Sequence, residues 1–410
     1  MRVWNIYIDP GTGSMIFTLL LGVTTTLVFF AQQWKVRLTQ RIRGGRAETA
    51  SSERIPYVIF SDDKRYWNVF EPICAQFEKH QTPLTYWTCS EDDPALSGEY
   101  KYIHAEYIGG INRAAARLNT MHAGTCISTT PGLDVFQWKR SAATDRYVHV
   151  LHSAWDITSY RMFGIDHYDA IIVNGHFLTK QVRALEAVRH QPPKDVAELG
   201  LTYMDAMEER LRAMPQDTVK DGKKTVLLAP SWGPSSILSR YGEEMIEALL
   251  ATGYRVVIRP HPQSASSEKE LLDRLMTKYP DSDRLQWNFD TDNFEALRQS
   301  DIMISDFSGV ALDYTLVFDK PLIYADTSFD KAPYDAAWLD EPMWIFETLP
   351  KIGRQLQREM LPDLQRILDE SIADETMYRA REEVRREAWC CRGESAQKIY
   401  AYLTGEGTDA

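Results

Sequence analysis

ISDFSGVALDYTLVFDKPLIY, residues Ile304 to Tyr324, reads as strand, tight turn, helix and strand in immediate succession. An apolar run ends at Ile304, a helical pattern follows from Gly309 to Val317, and Pro321 to Tyr324 resumes strand character. Two strands joined through a helix in this way run parallel in one sheet. Asp306, Ser308 and Gly309 sit where the strand hands over to the helix, so unpaired backbone N–H groups there suit a phosphate. Gly309 permits an anion to approach the backbone closely, and the Ser308 hydroxyl either caps the helix or binds the phosphate. Asp313 and Tyr314, a turn further on, read as inward polar groups or as helix surface, and Asp313 is counted with the candidate substrate-binding residues.

The same alternation extends to both sides. Strands are expected at Thr225 to Ala229, Arg255 to Arg259 and Ile302 to Ile304, with helices near Gly242 to Thr252 and Lys269 to Tyr279. Before them runs a second set: strands Tyr57 to Phe60, Leu84 to Thr88, Thr125 to Ser128, Tyr147 to Leu151 and Ala170 to Val173, with helices Trp67 to His80 and Phe177 to His190. Strand–helix alternation implies parallel sheets covered on both faces. The polar stretch Gln216 to Lys224 divides the two sets. The predicted class is therefore α/β: two open-sheet, Rossmann-like domains, 55–218 and 219–348, facing a cleft. After Leu349 the pattern is helical and rich in Arg and Glu without strand character, so residues 349–410 are expected to pack back as helices.

The 410 residues exceed what one core usually supports, in keeping with two domains. A net charge of −12 argues against broad nucleic-acid binding, which needs a basic surface. Five cysteines without metal-binding spacing read as free thiols. Thr12 to Ala31 contains no ionisable side chain and is long enough to cross a bilayer core of about 30 Å. Lys35, Arg37, Arg41, Arg43 and Arg46 follow it, whereas Arg2 alone precedes it. The expectation is a single-pass anchor within residues 1–43, a polar linker over 44–54, and catalytic domains on the cytoplasmic side of the cell membrane. A cleaved signal peptide is the alternative, but Asp9, the scarcity of early positive charge and the missing small-x-small site disfavour it.

Three further motifs end strands at their carboxyl edges, where open α/β sheets bind ligands. VVIRPHPQS, Val256 to Ser264, stops its strand with Pro260 and Pro262, holding Arg259 and His261 stiffly. Arg259 offers a fork for phosphate oxygens, and His261 can donate a hydrogen bond or a proton. LLAPSWGPSSIL, Leu227 to Leu238, brings Ser231, Trp232 and Ser235 to a strand terminus, which suits a nucleotide or any turn. VLHSAWD, Val150 to Asp156, puts His152 directly after a strand as a candidate general base. His149, His167 and His176 lie close by in the chain. No HExxH, CxxC or carboxylate cluster indicates a metal, and no GxGxxG indicates a dinucleotide, so neither metal nor cofactor is expected.

SDFSGVALDY with DKPLIY, RPHP, APSW, the histidine of VLHSAWD and ELGLTYMD occur in an order and spacing that resemble the CDP-glycerol:poly(glycerophosphate) glycerophosphotransferases. The resemblance spans Ile55 to Asp326 and implies the GT-B arrangement of two Rossmann-like domains. It implies catalytic roles for His152 and His261, donor diphosphate binding by Arg259, Ser308 and Gly309, and transfer from CDP-glycerol or a related CDP-polyol to a lipid-linked or glycan acceptor at the membrane. Two features depart from the family pattern: Ser153 and Ala154 follow His152 where Gly and soon Lys are common, and Phe307, Ser308 and Gly309 replace Tyr-Ser-Ser. The same architecture also hosts sugar transferases and nucleotide-sugar epimerases that use UDP-sugars, and it could persist in a non-catalytic tethered scaffold.

Overall fold

The computed structural model describes residues 54–215, 222–325 and 329–406. The expected membrane span, nearly all of the linker and most of the expected domain boundary lie outside these residues. Among the described residues no helix is long and apolar enough to cross a membrane.

Two parallel sheets carry the fold. The first contains β1 (Ile55–Ser61), β2 (Leu84–Thr88), β3 (Ile103–Tyr107), β4 (Ala123–Ser128), β5 (Thr144–Val150), β6 (Ala170–Val173) and β7 (Asp195–Glu198), in the order β3-β2-β1-β4-β5-β6-β7. The second contains β8 (Thr225–Ala229), β9 (Arg255–Ile258), β10 (Leu285–Trp287), β11 (Ile302–Ser305), β12 (Leu322–Ala325) and β13 (Gly353–Leu356), in the order β10-β9-β8-β11-β12-β13. Both orders reverse direction beside their first strand, the doubly wound arrangement of Rossmann-like sheets. The central strands β6, β8 and β11 are buried at every residue, as strands covered on both faces must be.

All the strands expected from sequence form. Four others do too: β3, β7, β10 and β13. β13 corrects the expectation that no strand follows Leu349. Its residues Gly353, Arg354, Gln355 and Leu356 pair with β12 from Leu322 to Ala325 and extend the second sheet. Beyond it the chain is helical as expected. The helix Leu364–Ala373 packs on the second lobe's core, Met377–Ala388 lies against helices of both lobes, and Ser395–Thr404 packs on the first.

Buried polar contacts join the lobes. Asp156 of the first lobe accepts hydrogen bonds from the backbone N–H groups of Trp344 (2.7 Å) and Ile345 (3.0 Å). In return, Asp335 accepts from Phe163 (2.7 Å) and Gly164 (3.0 Å) and pairs with Arg189. The returning helix adds Cys390 N–H to the Asn174 carbonyl at 2.9 Å and the Trp389 indole to Asp205 at 2.7 Å. A parallel sheet ends all its strands on one edge, so this docking fixes how the two carboxyl edges confront each other.

Candidate active site

His152 follows β5 and Leu151 at the first carboxyl edge. Its ring centroid lies 4.9 Å from that of Tyr66 and 6.1 Å from that of Tyr160. Its Nδ1 is buried and has no hydrogen-bond partner among the described residues. Burial pushes its pKa down to about 4, with the charges of Arg65 and His261 adding to the effect. At pH 7 the ring is neutral and able to take a proton.

His261 stands at the other edge, between Pro260 and Pro262. Its Nδ1 accepts the backbone N–H of Gln263 at 3.1 Å, which places the proton of the neutral ring on Nε2. Burial and then Arg65 bring its pKa down to about 4, opposed by Glu268. Glu268 is itself held by the hydroxyls of Ser239 and Ser264, each at 2.7 Å. Trp232 flanks the histidine, the ring centroids 6.4 Å apart. Two neutral imidazoles, one from each sheet, thus both feel the charge of the same cation.

That cation is Arg65, which sequence reasoning missed. It sits on the short 3-10 turn Lys64–Tyr66 after β1, with Asp63 as the N-cap accepting its backbone N–H at 3.0 Å. Its guanidinium pairs with Asp63 at 3.2 Å and lies 5.6 Å from the centre of the Tyr66 ring. The signal was available, since SDDKRY begins where β1 must end, on the ligand-binding edge.

The remaining expected residues divide by what they touch. Asp306 is fully buried, and its two oxygens accept the N–H groups of Ser231 and Ile237, each at 2.8 Å. It shapes the loop that carries Ser231, Trp232 and Ser235 and presents no oxygen to a ligand. Burial raises its pKa to about 6 despite those bonds. Arg259 donates to Asn288 and, at 2.7 Å, to the carbonyl of Asp290, so its fork braces the loop after β10. Asp313 accepts the Tyr203 hydroxyl at 2.7 Å across the lobes, and burial raises its pKa to about 7.

Gly309 packs so close to the first lobe that an added Cβ would lie 2.5 Å from Ser153 Oγ. Its φ of −57° is ordinary, so the glycine is there for space. Gly309 thus sits against Ser153 and Trp155 of the first lobe, while the carboxyls of Asp306 and Asp313 hold partners within the protein. His152, His261, Trp232, Ser231 and Ser235 remain at the facing edges. Among the described residues no three or more His, Cys, Asp or Glu side chains gather to hold a metal.

Solved structures share this architecture at low identity. The wall teichoic acid polymerase TagF, determined with CDPG, aligns over 94% of this chain and 97% of its own with a TM-score of 0.56 and 14% identity. The UDP-GlcNAc 2-epimerase from Neisseria meningitidis bound to UDP-GlcNAc aligns over 86% and 100%, with a TM-score of 0.56 and 11% identity. A putative UDP-N-acetylglucosamine 2-epimerase from Listeria monocytogenes aligns over 87% and 98%, at 0.55 and 13%. No curated protein sequence matches the chain. These likenesses establish the fold, and activity is separated by the family model, which matches residues 56–405, nearly the whole described chain. On that match the chain belongs to the CDP-glycerol:poly(glycerophosphate) glycerophosphotransferase family and is an enzyme of that type.

Proposed function

We propose that the enzyme transfers glycerol phosphate from CDP-glycerol to a hydroxyl of a membrane-associated acceptor, lipid-linked or glycan, and releases CMP. The supporting observation is the pair of neutral histidines brought from opposite sheets to one cation. The acceptor oxygen attacks the phosphorus that bears glycerol. The new P–O bond forms as the bond to the CMP oxygen breaks, the acceptor proton passes to His152, and the electron pair leaves with CMP. His261, with its proton on Nε2, donates a hydrogen bond to the phosphoryl oxygens, and Arg65 offsets the charge that gathers there. Trp232, Ser231 and Ser235 border the donor. A membrane anchor at about residues 12–31, with both lobes cytoplasmic, keeps the active site beside an acceptor built on a lipid.

CMP release by the full chain in detergent, given CDP-glycerol and a membrane extract, tests this. Release that requires CDP-glycerol and vanishes in His152→Ala supports the proposal. Turnover of UDP-GlcNAc instead, with CDP-glycerol inert, would replace it with epimerase or sugar-transfer chemistry.

A further inference from the structure

A histidine that serves as general base is usually aimed by a partner on its second ring nitrogen. His152 lacks one: its Nδ1 is buried without a hydrogen-bond partner among the described residues, and the rings of Tyr66 and Tyr160 pack beside it. Ring contacts limit where an imidazole can go but give its nitrogens no direction. The aim of His152 therefore depends on the backbone that carries it, the segment Leu151 to Asp156 between β5 and the 3-10 turn Ile157–Ser159.

The second lobe grips that segment at successive residues after the histidine. Ser153 faces Gly309 with no room for a Cβ between them. Tyr203, in the first lobe's helix Thr202–Ala213, donates its hydroxyl at 2.7 Å to Asp313 in the second lobe's helix Val310–Leu316. The Ser153 side chain and the Ala154 backbone lie close enough to bond to the same hydroxyl. The ring of Trp155 has its centroid 6.4 Å from that of Phe307. Asp156 ends the segment, its Oδ1 accepting the N–H of Trp344 and its Oδ2 that of Ile345, both from the second lobe, while Gln181 of the first lobe also donates to Oδ1. Asp156, Tyr203 and Asp313 are all buried. Hydrogen bonds to a carboxyl group in such a place are strong and directional, so these two fastenings, one on each side of Trp155, can hold the segment in a single arrangement.

We propose that Asp156 and the Tyr203–Asp313 pair are positioning residues for the general base: through them the second lobe sets the aim of His152. What His152 then does rests on the transferase reading above; the fastening of its segment does not. Misplacing a reacting group by about 1 Å can cost about 10²-fold in rate, so the consequence belongs to kcat and leaves donor binding alone.

The full chain in detergent at pH 7 is compared with Tyr203→Phe, Asp156→Asn and Asp313→Asn in three measurements. These are kcat for CMP release, CDP-glycerol affinity by calorimetry, and the rate at which diethyl pyrocarbonate labels His152, located by mass spectrometry. Tyr203→Phe removes only the donor, and Asp156→Asn leaves one of its two N–H groups facing an amide nitrogen. Asp313→Asn keeps an acceptor for Tyr203 and stands close to the half-protonated carboxyl that burial leaves at pH 7. The first two variants should lower kcat roughly ten- to a hundredfold and speed the labelling of His152, with CDP-glycerol affinity within about twofold, while Asp313→Asn stays near the unaltered chain. Unchanged donor affinity also shows that the variants are folded. The proposal is overturned if Tyr203→Phe and Asp156→Asn keep their kcat, if Asp313→Asn loses as much as Tyr203→Phe, or if donor affinity falls in step with kcat. If the unaltered chain releases no CMP from CDP-glycerol, the transferase reading fails instead. Labelling of His152 then decides the positioning alone: faster in the first two variants upholds it, and unchanged refutes it.

Discussion

The two lobes repeat one strand order, and each places an aspartate just after a strand beside the point where that order reverses: Asp62 after β1 and Asp306 after β11. Their surroundings differ completely. Asp306 has both oxygens occupied by its own lobe's loop N–H groups, whereas Asp62 keeps Oδ1 unpaired. The histidines repeat the contrast. His261 has its Nδ1 fixed by Gln263 and stands between prolines, while His152 has a free Nδ1 among aromatic rings. At the second lobe's edge the Asp306 carboxyl and His261 Nδ1 are satisfied by their own lobe, although Ser231 Oγ is buried without a partner among the described residues. The first lobe's edge still has acceptors to give, which is what a hydroxyl substrate needs.

The largest expected effect follows from His152. Loss of a general base typically costs about 10²- to 10⁴-fold, so His152→Ala should lower kcat for CMP release by that amount while the affinity for CDP-glycerol changes little. The comparison breaks if donor affinity collapses instead, because His152 would then belong to the donor side. The pH profile sharpens the same point. A histidine whose folded pKa is about 4 stays neutral until well below its ordinary value of about 6.5, so kcat/KM should be flat from pH 6 to 8 and fall only as pH approaches 4. Arg65→Ala removes a charge that lowers both histidines and should move this acid limb upward. An unchanged limb would separate Arg65 from the site.

Stability supplies the next test of the contrast. Asp306→Ala deprives two buried N–H groups of their acceptor and should cost about 2–4 kcal/mol in denaturant unfolding, together with loss of order in the Ser231 to Ser236 loop. Asp62→Ala, at a carboxylate whose Oδ1 has no partner among the described residues, is expected to cost less than half as much. Equal losses would mean that the two aspartates do the same work.

Interior strands were plain in the sequence because parallel strands covered on both faces must be continuously apolar. The four that were not legible, β3, β7, β10 and β13, are the outermost strands of the two sheets. Edge positions are half solvated, so IHAEY, DVAE and GRQL carry charge or polarity that interrupts the run, and LQW is short. The site follows a similar division. His152 and His261 stood out because each follows an apolar interior strand. Asp306 and Asp313 looked like ligands because sequence cannot distinguish a carboxylate that faces a substrate from one that holds its own loop or a tyrosine of the opposite lobe. Arg65 and Asp62 went unnoticed because their importance arises from proximity across strands distant in sequence.

The smallest effect concerns how closely the edges are brought together. Gly309 of the second lobe meets Ser153 of the first, and a Cβ at 309 would stand 2.5 Å from Ser153 Oγ but 3.8 Å from Ser153 Cβ. The first distance is a clash and the second an ordinary contact, so the obstacle is one hydroxyl oxygen. Gly309→Ala should therefore cost about 1–3 kcal/mol, the usual range for overpacking, and lower kcat by slightly separating the histidines. Adding Ser153→Ala removes the obstructing oxygen and should restore most of both losses, although Ser153→Ala alone removes a polar group. If the double variant is no better than Gly309→Ala, the glycine serves the backbone of its own turn; rescue would identify residue 309 as the point at which the second lobe is seated against the residues that follow His152.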